Sequence, residues 1–332
     1  MDASEYNDCN RAFIQAFMSR STMTLEQAQP VLAAILSAHE NRDVDPTDIT
    51  LEHLSSFISQ ANTAISPFDL EIRSSLRQDS KDDSPDAQEV SPTRIYALVN
   101  TTSDPMTQLA TTYSADEIAF VKRILDYMFV TKNNRLCEGM VIHSIDALNL
   151  SRVSGDRQRS TNIGTQPSEG GAAQSLSMTQ AEDMMKNLVK EGWLEKSRKD
   201  YFSLTPRALM ELRGWLVATY NDEAIDGRKI ERIKFCAACR EIITSGQRCG
   251  ERDCSGRLHD HCMRNFFRMQ QAEDCPTCKK SWPGDKYVGE RAVMAMDRRR
   301  SRTVPQNTAS SPRQQNGHVG SDDENMSDEE EG

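Results

Sequence analysis

The chain has 332 residues, with 40 Lys and Arg against 50 Asp and Glu, and only 37% of it is hydrophobic, which predicts two or three units rather than one large core. A mean hydropathy of −0.64 and the lack of an apolar run of about 18 residues argue against a membrane span, and the polar, acidic stretch from Met1 to Asn10 carries no secretory signal. Seven acids and no base among the last twelve residues account for most of the net charge of −10 and leave −3 for the rest, so a strongly basic nucleic-acid protein is not indicated.

Phe13, Ile14, Phe17 and Met18 mark a first helical stripe, and Leu25, Val31, Leu32, Ile35 and Leu36 a second around Pro30. A third starts at Asp48 and runs through Leu51, Leu54, Ile58 and Ile65. After Ser66-Pro67, alternating Leu70 and Ile72 predict a strand, and Ile95 to Val99 a second. Between them, Gln78 to Ser91 holds five acids, one Lys and one Pro, the composition of a solvated hairpin loop. Three helices followed by a hairpin is the order of a winged helix over residues 5–102; a three-helix bundle with an unrelated hairpin fits the same pattern.

A second unit is expected over residues 113–222. Ser114 to Glu117 reads as a capping box, opening a helix with Ile118, Val121, Ile124, Leu125 and Met128 on one face. An apolar stretch from Val141 to Leu150 follows, and then Ser151 to Ser175, rich in Ser and Gly, predicts a flexible loop over 151–175. Thr179 to Glu182 reads as another capping box, for a helix that ends at Gly192. Trp193-Leu194 and Tyr201 to Leu204 flank the tight basic hairpin Lys196 to Asp200, and Thr205-Pro206 caps a further helix through Leu209, Leu212, Trp215 and Leu216. Helix, hairpin and helix in so few residues predict a second winged helix.

Seven of the nine cysteines lie in the 43 residues from Cys236 to Cys278. They come largely as Cys-x-x-Cys pairs, in a chain without a secretory signal, so metal is a better reading than disulfides. Eight donors follow in order: Cys236, Cys239, Cys249, Cys254, His259, Cys262, Cys275 and Cys278. Each zinc takes four soft donors in a tetrahedron, so eight donors make two closed, structural sites with no position left for a reactive water. The expected cofactor is two Zn2+ ions, held in a small domain over 232–284 whose few apolar residues, Leu258, Met263, Phe266 and Phe267, leave much of its folding free energy to the metal. Order alone leaves the pairing open. Sequential pairing gives two independent ribbons, whereas the short gap from Cys254 to His259 favours interleaving, with Cys236, Cys239, His259 and Cys262 on one ion and the other four cysteines on the second. His259-x-x-Cys262 repeats the spacing of the knuckles, which favours His259 over His261 as the ligand; Cys9 and Cys137 read as small buried hydrophobes.

This ligand order resembles a variant RING finger. A plant-homeodomain finger shares the order but usually carries a Trp where this chain has Glu273, and Cys275-Pro276-Thr-Cys278 resembles a closing RING knuckle. Together with Lys279-Lys-Ser-Trp-Pro283, Ile95 to Asn100 and the tandem winged-helix pattern, the chain over about residues 5–290 resembles the element 1 family of non-structural maintenance of chromosomes proteins, the RING-bearing non-SMC subunits of the SMC five–six complex.

The resemblance implies an α+β fold of two winged-helix domains and a RING-like zinc domain, here followed by an acidic, disordered tail over 291–332. It implies a nuclear protein of DNA repair that binds a MAGE-type subunit and a kleisin subunit and acts as a RING-type ubiquitin ligase. A ubiquitin-conjugating enzyme would then dock beside Ala237, Ala238, Pro276 and Lys279, with no catalytic residue of the chain's own. Many active RINGs carry Ile or Val where this chain has Ala238, which predicts weak or partner-dependent activity, and a purely scaffolding role is the alternative. For DNA, the wing residues Lys196, Arg198 and Lys199, with Lys186 and Lys190, form the candidate patch, and a solvated hairpin tip explains them as well. Asp297 to Arg302 is a candidate import signal, and Ser321 and Ser327 precede acidic runs of the kind that acidic-directed kinases use.

Overall fold

A computed structural model describes residues 6–78, 92–101, 112–152, 174–223 and 229–303. Nearly all of the expected loop at 151–175, most of the hairpin loop after Gln78, and the acidic end with Ser321 and Ser327 lie outside the described residues.

The first unit runs α1 (Asp8–Arg20), β1 (Thr22–Met23), α2 (Leu25–Glu40), α3 (Leu51–Ile65), β2 (Leu70–Leu76) and β3 (Arg94–Asn100). Each helix starts at a polar side chain that takes up amides of the first turn: Asn7, Thr24 and Thr50, each answered by the side chain three residues on. The strands form an antiparallel sheet in the order β1-β3-β2, with Ile72 opposite Leu98. Phe13, Phe17, Leu32 and Leu54 fill a sealed core, Phe13 meeting Phe17 edge-on at 5.1 Å. Asn62 joins helix to sheet, its amide taking the Ile72 N–H at 2.7 Å and donating to the Ile72 carbonyl at 3.1 Å.

The second unit repeats that order: α4 (Ala115–Asp126), β4 (Ile142–His143), α5 (Ser144–Asn149), α6 (Met178–Lys190), β5 (Leu194–Lys196) and β6 (Tyr201–Leu204), with the sheet again in the order first, third, second strand, β4-β6-β5. Both orders are consistent with winged helices. Ser114 and Glu117 form the expected capping box. At α6 the cap differs from expectation: Ser177, answered by Gln180, holds the first turn, so the helix starts two residues before the Thr179–Glu182 pair. Ser177 with Gln180 offers the same spacing as Thr179 with Glu182, and the helix buries Ala181, Met184, Met185 and Leu188. Thr205 caps α7 (Pro206–Glu211), and α8 (Arg213–Tyr220) follows it directly.

The cysteine-rich region opens with the hairpin β7 (Asn221–Glu223) and β8 (Lys229–Glu231). It continues through β9 (Gly246–Arg248), β10 (Arg257–Leu258), α9 (Asp260–Gln270) and β11 (Tyr287–Val288), the last three strands pairing in the order β10-β9-β11. It does not stand apart. Ile233, Ile242 and Val288 belong to the apolar core that Phe129, Leu216 and Tyr220 build in the second unit. The first unit rests on the second through Ala97, Val99 and Met210, and through Arg77 paired with Glu195 at 2.8 Å.

The segment expected as tail from residue 291 is helical in its described part. Glu290–Thr303 is a helix, α10, whose Val293 is buried with Cys137 and Val141. The basic run that made this segment read as tail lies on a helix anchored by that apolar contact and by an ion pair between Arg291 and Asp260. Cys9 and Cys137 are buried, as expected of small hydrophobes.

Candidate metal centres

Four short backbone devices bring the eight donors together. Cys236 to Cys239 forms a turn closed by Arg240 N–H on the Cys236 carbonyl at 3.0 Å and Cys236 N–H on the Glu241 carbonyl at 2.9 Å, with Arg240 left-handed at φ 64°. Cys275 to Cys278 repeats this: Lys279 N–H reaches the Cys275 carbonyl at 3.0 Å, Cys275 N–H the Lys280 carbonyl at 2.8 Å, and Lys279 has φ 61°. His259 and Cys262 straddle the start of α9, whose first turn sets their side chains on one face. Cys249 and Cys254 lie in a loop where Glu251 and Gly256, each two residues after its cysteine, donate backbone N–H to the two sulphurs at 3.4 Å.

Cys236, Cys239, His259 and Cys262 gather in one group and Cys249, Cys254, Cys275 and Cys278 in another, the donor atoms of each lying within 4.8 Å of one another. This is the interleaved pairing. Cys249 and Cys278 sulphurs are 3.5 Å apart, and those of Cys254 and Cys275 3.6 Å, far beyond a disulfide and close to the ~3.8 Å edge of a tetrahedron with zinc–sulphur bonds of ~2.3 Å. Four sulphurs this close cannot all ionise without a cation among them, and burial pushes the Cys249 thiol up to about 12. The donor set therefore suits a dication, and each cluster can hold one zinc.

His259 is buried and turns its Nδ1 to the Cys239 sulphur at 3.3 Å. Its Nε2 faces the Ile242 carbonyl at 3.4 Å, which fixes the tautomer that leaves Nδ1 free to ligate. His261 only stacks on His259, with centroids 4.9 Å apart. Between the two centres lies a small core in which Trp282 packs edge-on against Phe267 at 5.7 Å and donates its indole N–H to the Gln247 amide at 3.0 Å.

Of the surface residues singled out in the sequence, Ala238 and Lys279 are exposed on the two outer knuckles, while Ala237 and Pro276 are half-buried, Ala237 against the metal-site core. One wing base and one base of the preceding helix are answered by acids. Lys196 pairs with Asp200 at 2.7 Å and Lys186 with Glu182 at 3.2 Å, while Lys199 lies against the Met294 sulphur at 3.2 Å.

Three residues that sequence reasoning passed over hold the centres in place. Gln78 of the first unit donates to the same Ile242 carbonyl at 2.7 Å and accepts from the N–H groups of Thr244 and Ser245 at 2.9 and 3.2 Å. Glu138 and Arg257, both buried, form a two-pronged ion pair. Arg257 also donates to the carbonyls of Cys254 and Gly256 at 2.7 and 2.8 Å, inside the second cluster's loop. Burial opposes the Glu138 charge, yet hydrogen bonds and charge from Arg257, then from Lys234, hold its carboxyl down at about 2. No spacing or composition marks these residues, because their roles arise from contacts between units far apart in sequence.

A family described as the Nse1 non-SMC component of the SMC5-6 complex matches residues 10–212, and one described as a RING-like domain matches 236–278. Among curated proteins, the non-structural maintenance of chromosomes element 1 homologue of Rattus norvegicus is 21% identical over 283 residues, spanning 85% of this chain and 87% of the relative. The Xenopus tropicalis homologue is 23% identical over 281 residues, 85% of each chain, and the Schizosaccharomyces pombe protein 24% identical over 190 residues, 57% of this chain and 65% of that one. A solved chain from an Nse1-Nse3-Nse4 complex superposes with a TM-score of 0.58 at 21% identity, covering 84% of this chain and 98% of that one, a likeness of fold. With more than half of its length matched by the first of these families, ahead of a RING-like zinc-binding region, the chain belongs to the Nse1 family of non-SMC components of the SMC5-6 complex.

Proposed function

We propose that this chain is a zinc-dependent, RING-type ubiquitin ligase subunit of its SMC complex, working in the nucleus in DNA repair and chromosome maintenance, with a MAGE-type and a kleisin subunit as its neighbours. The observation that carries the reading is the pair of interleaved four-donor clusters, each including a knuckle with an outer residue, Ala238 or Lys279, that faces solvent. The eight clustered residues hold two zinc ions, which supply rigidity and no reactive water. The chain contributes no nucleophile or base. Its part is to hold a conjugating enzyme and its ubiquitin thioester in a reactive arrangement, an acceleration by orientation. Ala237, Ala238, Pro276 and Lys279 form the docking face, and the complex in the solved Nse1-Nse3-Nse4 structure supports the choice of neighbours.

The test is a reconstituted ubiquitination reaction with and without the MAGE-type partner. Ubiquitin chains that depend on the partner, and that vanish with Ala238→Asp while two zincs remain bound, are expected; no transfer under either condition overturns the enzyme reading. A second reading, a scaffold without transferase activity, has its own support: Ala238 offers little apolar contact area, and the metal region shares the second unit's core through Ile233, Ile242 and Val288. A DNA role for Lys196, Arg198 and Lys199 draws less support, given the Lys196–Asp200 pair. Affinity that falls steeply with salt and is lost when the three bases are neutralised would establish it.

A further inference from the structure

The second metal cluster is surrounded by an unequal set of charges. Glu138 is a single carboxylate facing three cations: Arg257 through both prongs of its guanidinium, Lys234 Nζ at 2.5 Å and Arg248 at 3.5 Å. Arg257 and Glu138 are almost sealed from solvent and the Arg248 side chain is 8% exposed. Near this cluster, Arg135 pairs with Asp253, and Lys280 with Glu251 at 2.9 Å.

Two of these cations reach the backbone that carries the second cluster's sulphurs. Arg257 binds the Cys254 and Gly256 carbonyls, and Arg248 directs its Nε to the Cys249 carbonyl at 3.5 Å. A zinc ion with four thiolates carries two net negative charges, whereas one with three thiolates and a neutral imidazole carries one. Beside the first cluster, Asp260 is paired with Arg291. Three cations less one carboxylate leave two positive charges beside the centre that has two negative ones to offset.

We propose that the buried cluster of Arg248, Arg257, Lys234 and Glu138 is the counter-charge of the four-cysteine zinc centre, so that retention of that ion is coupled to the seating of the metal region on the second unit. Glu138 belongs to the second unit, beside Cys137 and Gly139, and its backbone carbonyl also accepts the Gly289 N–H at 2.8 Å. It thereby anchors cations that the metal region supplies. Linkage is reciprocal: a cation array held in place by docking holds the ion, and the bound ion holds the array against Glu138. The proposal rests on the reading that the eight donors bind zinc.

The full-length chain loaded with cadmium-113 tests it, since a four-thiolate centre and a three-thiolate, one-imidazole centre give separate cadmium resonances. Two resonances are expected from the wild type; their absence overturns the zinc reading and the proposal with it. Against a chelator, Arg248→Met is expected to lose the four-thiolate resonance at about tenfold lower chelator concentration, with the other resonance unmoved. Arg248→Lys, which keeps the charge, is expected to behave as wild type. Should Arg248→Met misfold, Lys234→Met, at a side chain 21% exposed, gives a smaller shift in the same direction. Equal chelator sensitivity of both resonances in the Met variants, or Met and Lys variants of Arg248 that behave alike, overturns the counter-charge role while leaving the zinc reading intact.

Discussion

The first unit and the metal region reach a fixed shape by opposite means. The first encloses Phe13, Phe17, Leu32, Leu54 and Ile65 behind capped helices, so its stability comes from apolar area removed from water. In the metal region the cluster around the donors is Cys236, Cys249, Leu258, Cys275 and Trp282, three of them metal donors. What reads as core there is coordination, and it vanishes with the ion. The second unit stands between, with an aliphatic and aromatic core of its own that also accepts three side chains of the metal region.

That contrast can be broken most sharply by removing metal. Chelation, or Cys275→Ser, should unfold the region from about 232 to 288 at a cost on the order of 10 kcal/mol per ion, while deuterium exchange in α1 to α3 stays as in the intact chain. The converse is Phe13→Ala, which should cost about 3–5 kcal/mol of first-unit stability, read from exchange or denaturant unfolding, with zinc content unchanged at two ions. If Phe13→Ala also released zinc, the two regions would not be energetically separate.

The junction has its own signature in pH. Glu138 is held at about 2 against an ordinary 4.5, so the folded state favours its charged form. Its contribution, on the order of 3 kcal/mol, is complete above the unfolded value and is lost as pH falls toward the folded one. The stability difference between wild type and Glu138→Gln should therefore be constant above about pH 5 and close on acidification. A difference that stayed flat down to the folded value would remove the carboxylate from the account.

A smaller effect is expected at Gly256, where a Cβ would meet the Cys275 sulphur at 2.5 Å and the Cys254 sulphur at 3.4 Å. Gly256→Ala should cost about 1–3 kcal/mol and loosen the four-cysteine ion alone, measured by its competition with a chelator.

Sequence reading located what is local. The knuckles, the His259–Cys262 turn, the Ser114 and Thr205 caps and the strands around Ile72 and Val99 all follow from spacings of a few residues, and each forms as expected. The interleaved pairing was within reach because the gap between Cys254 and His259 is too short for two ribbons. Glu138, Arg257 and Gln78 were out of reach: Arg257 meets its carboxylate 119 positions away, and Gln78 meets Ile242 164 positions away. Composition predicts tail over α10 because Arg298 and its neighbours outweigh Val293, although one buried valine is enough to seat a helix already held at its start by Arg291.

The reach of Gln78 has a practical consequence. Its side-chain oxygen is what the amide protons of Thr244 and Ser245 bond to, and its nitrogen bonds the carbonyl that also receives His259. Those two amides are thus a built-in gauge of whether the amino-terminal unit is seated: they pick up solvent deuterium as soon as it swings away, before either hydrophobic interior opens, and the orientation of one ligand imidazole is felt across the same carbonyl.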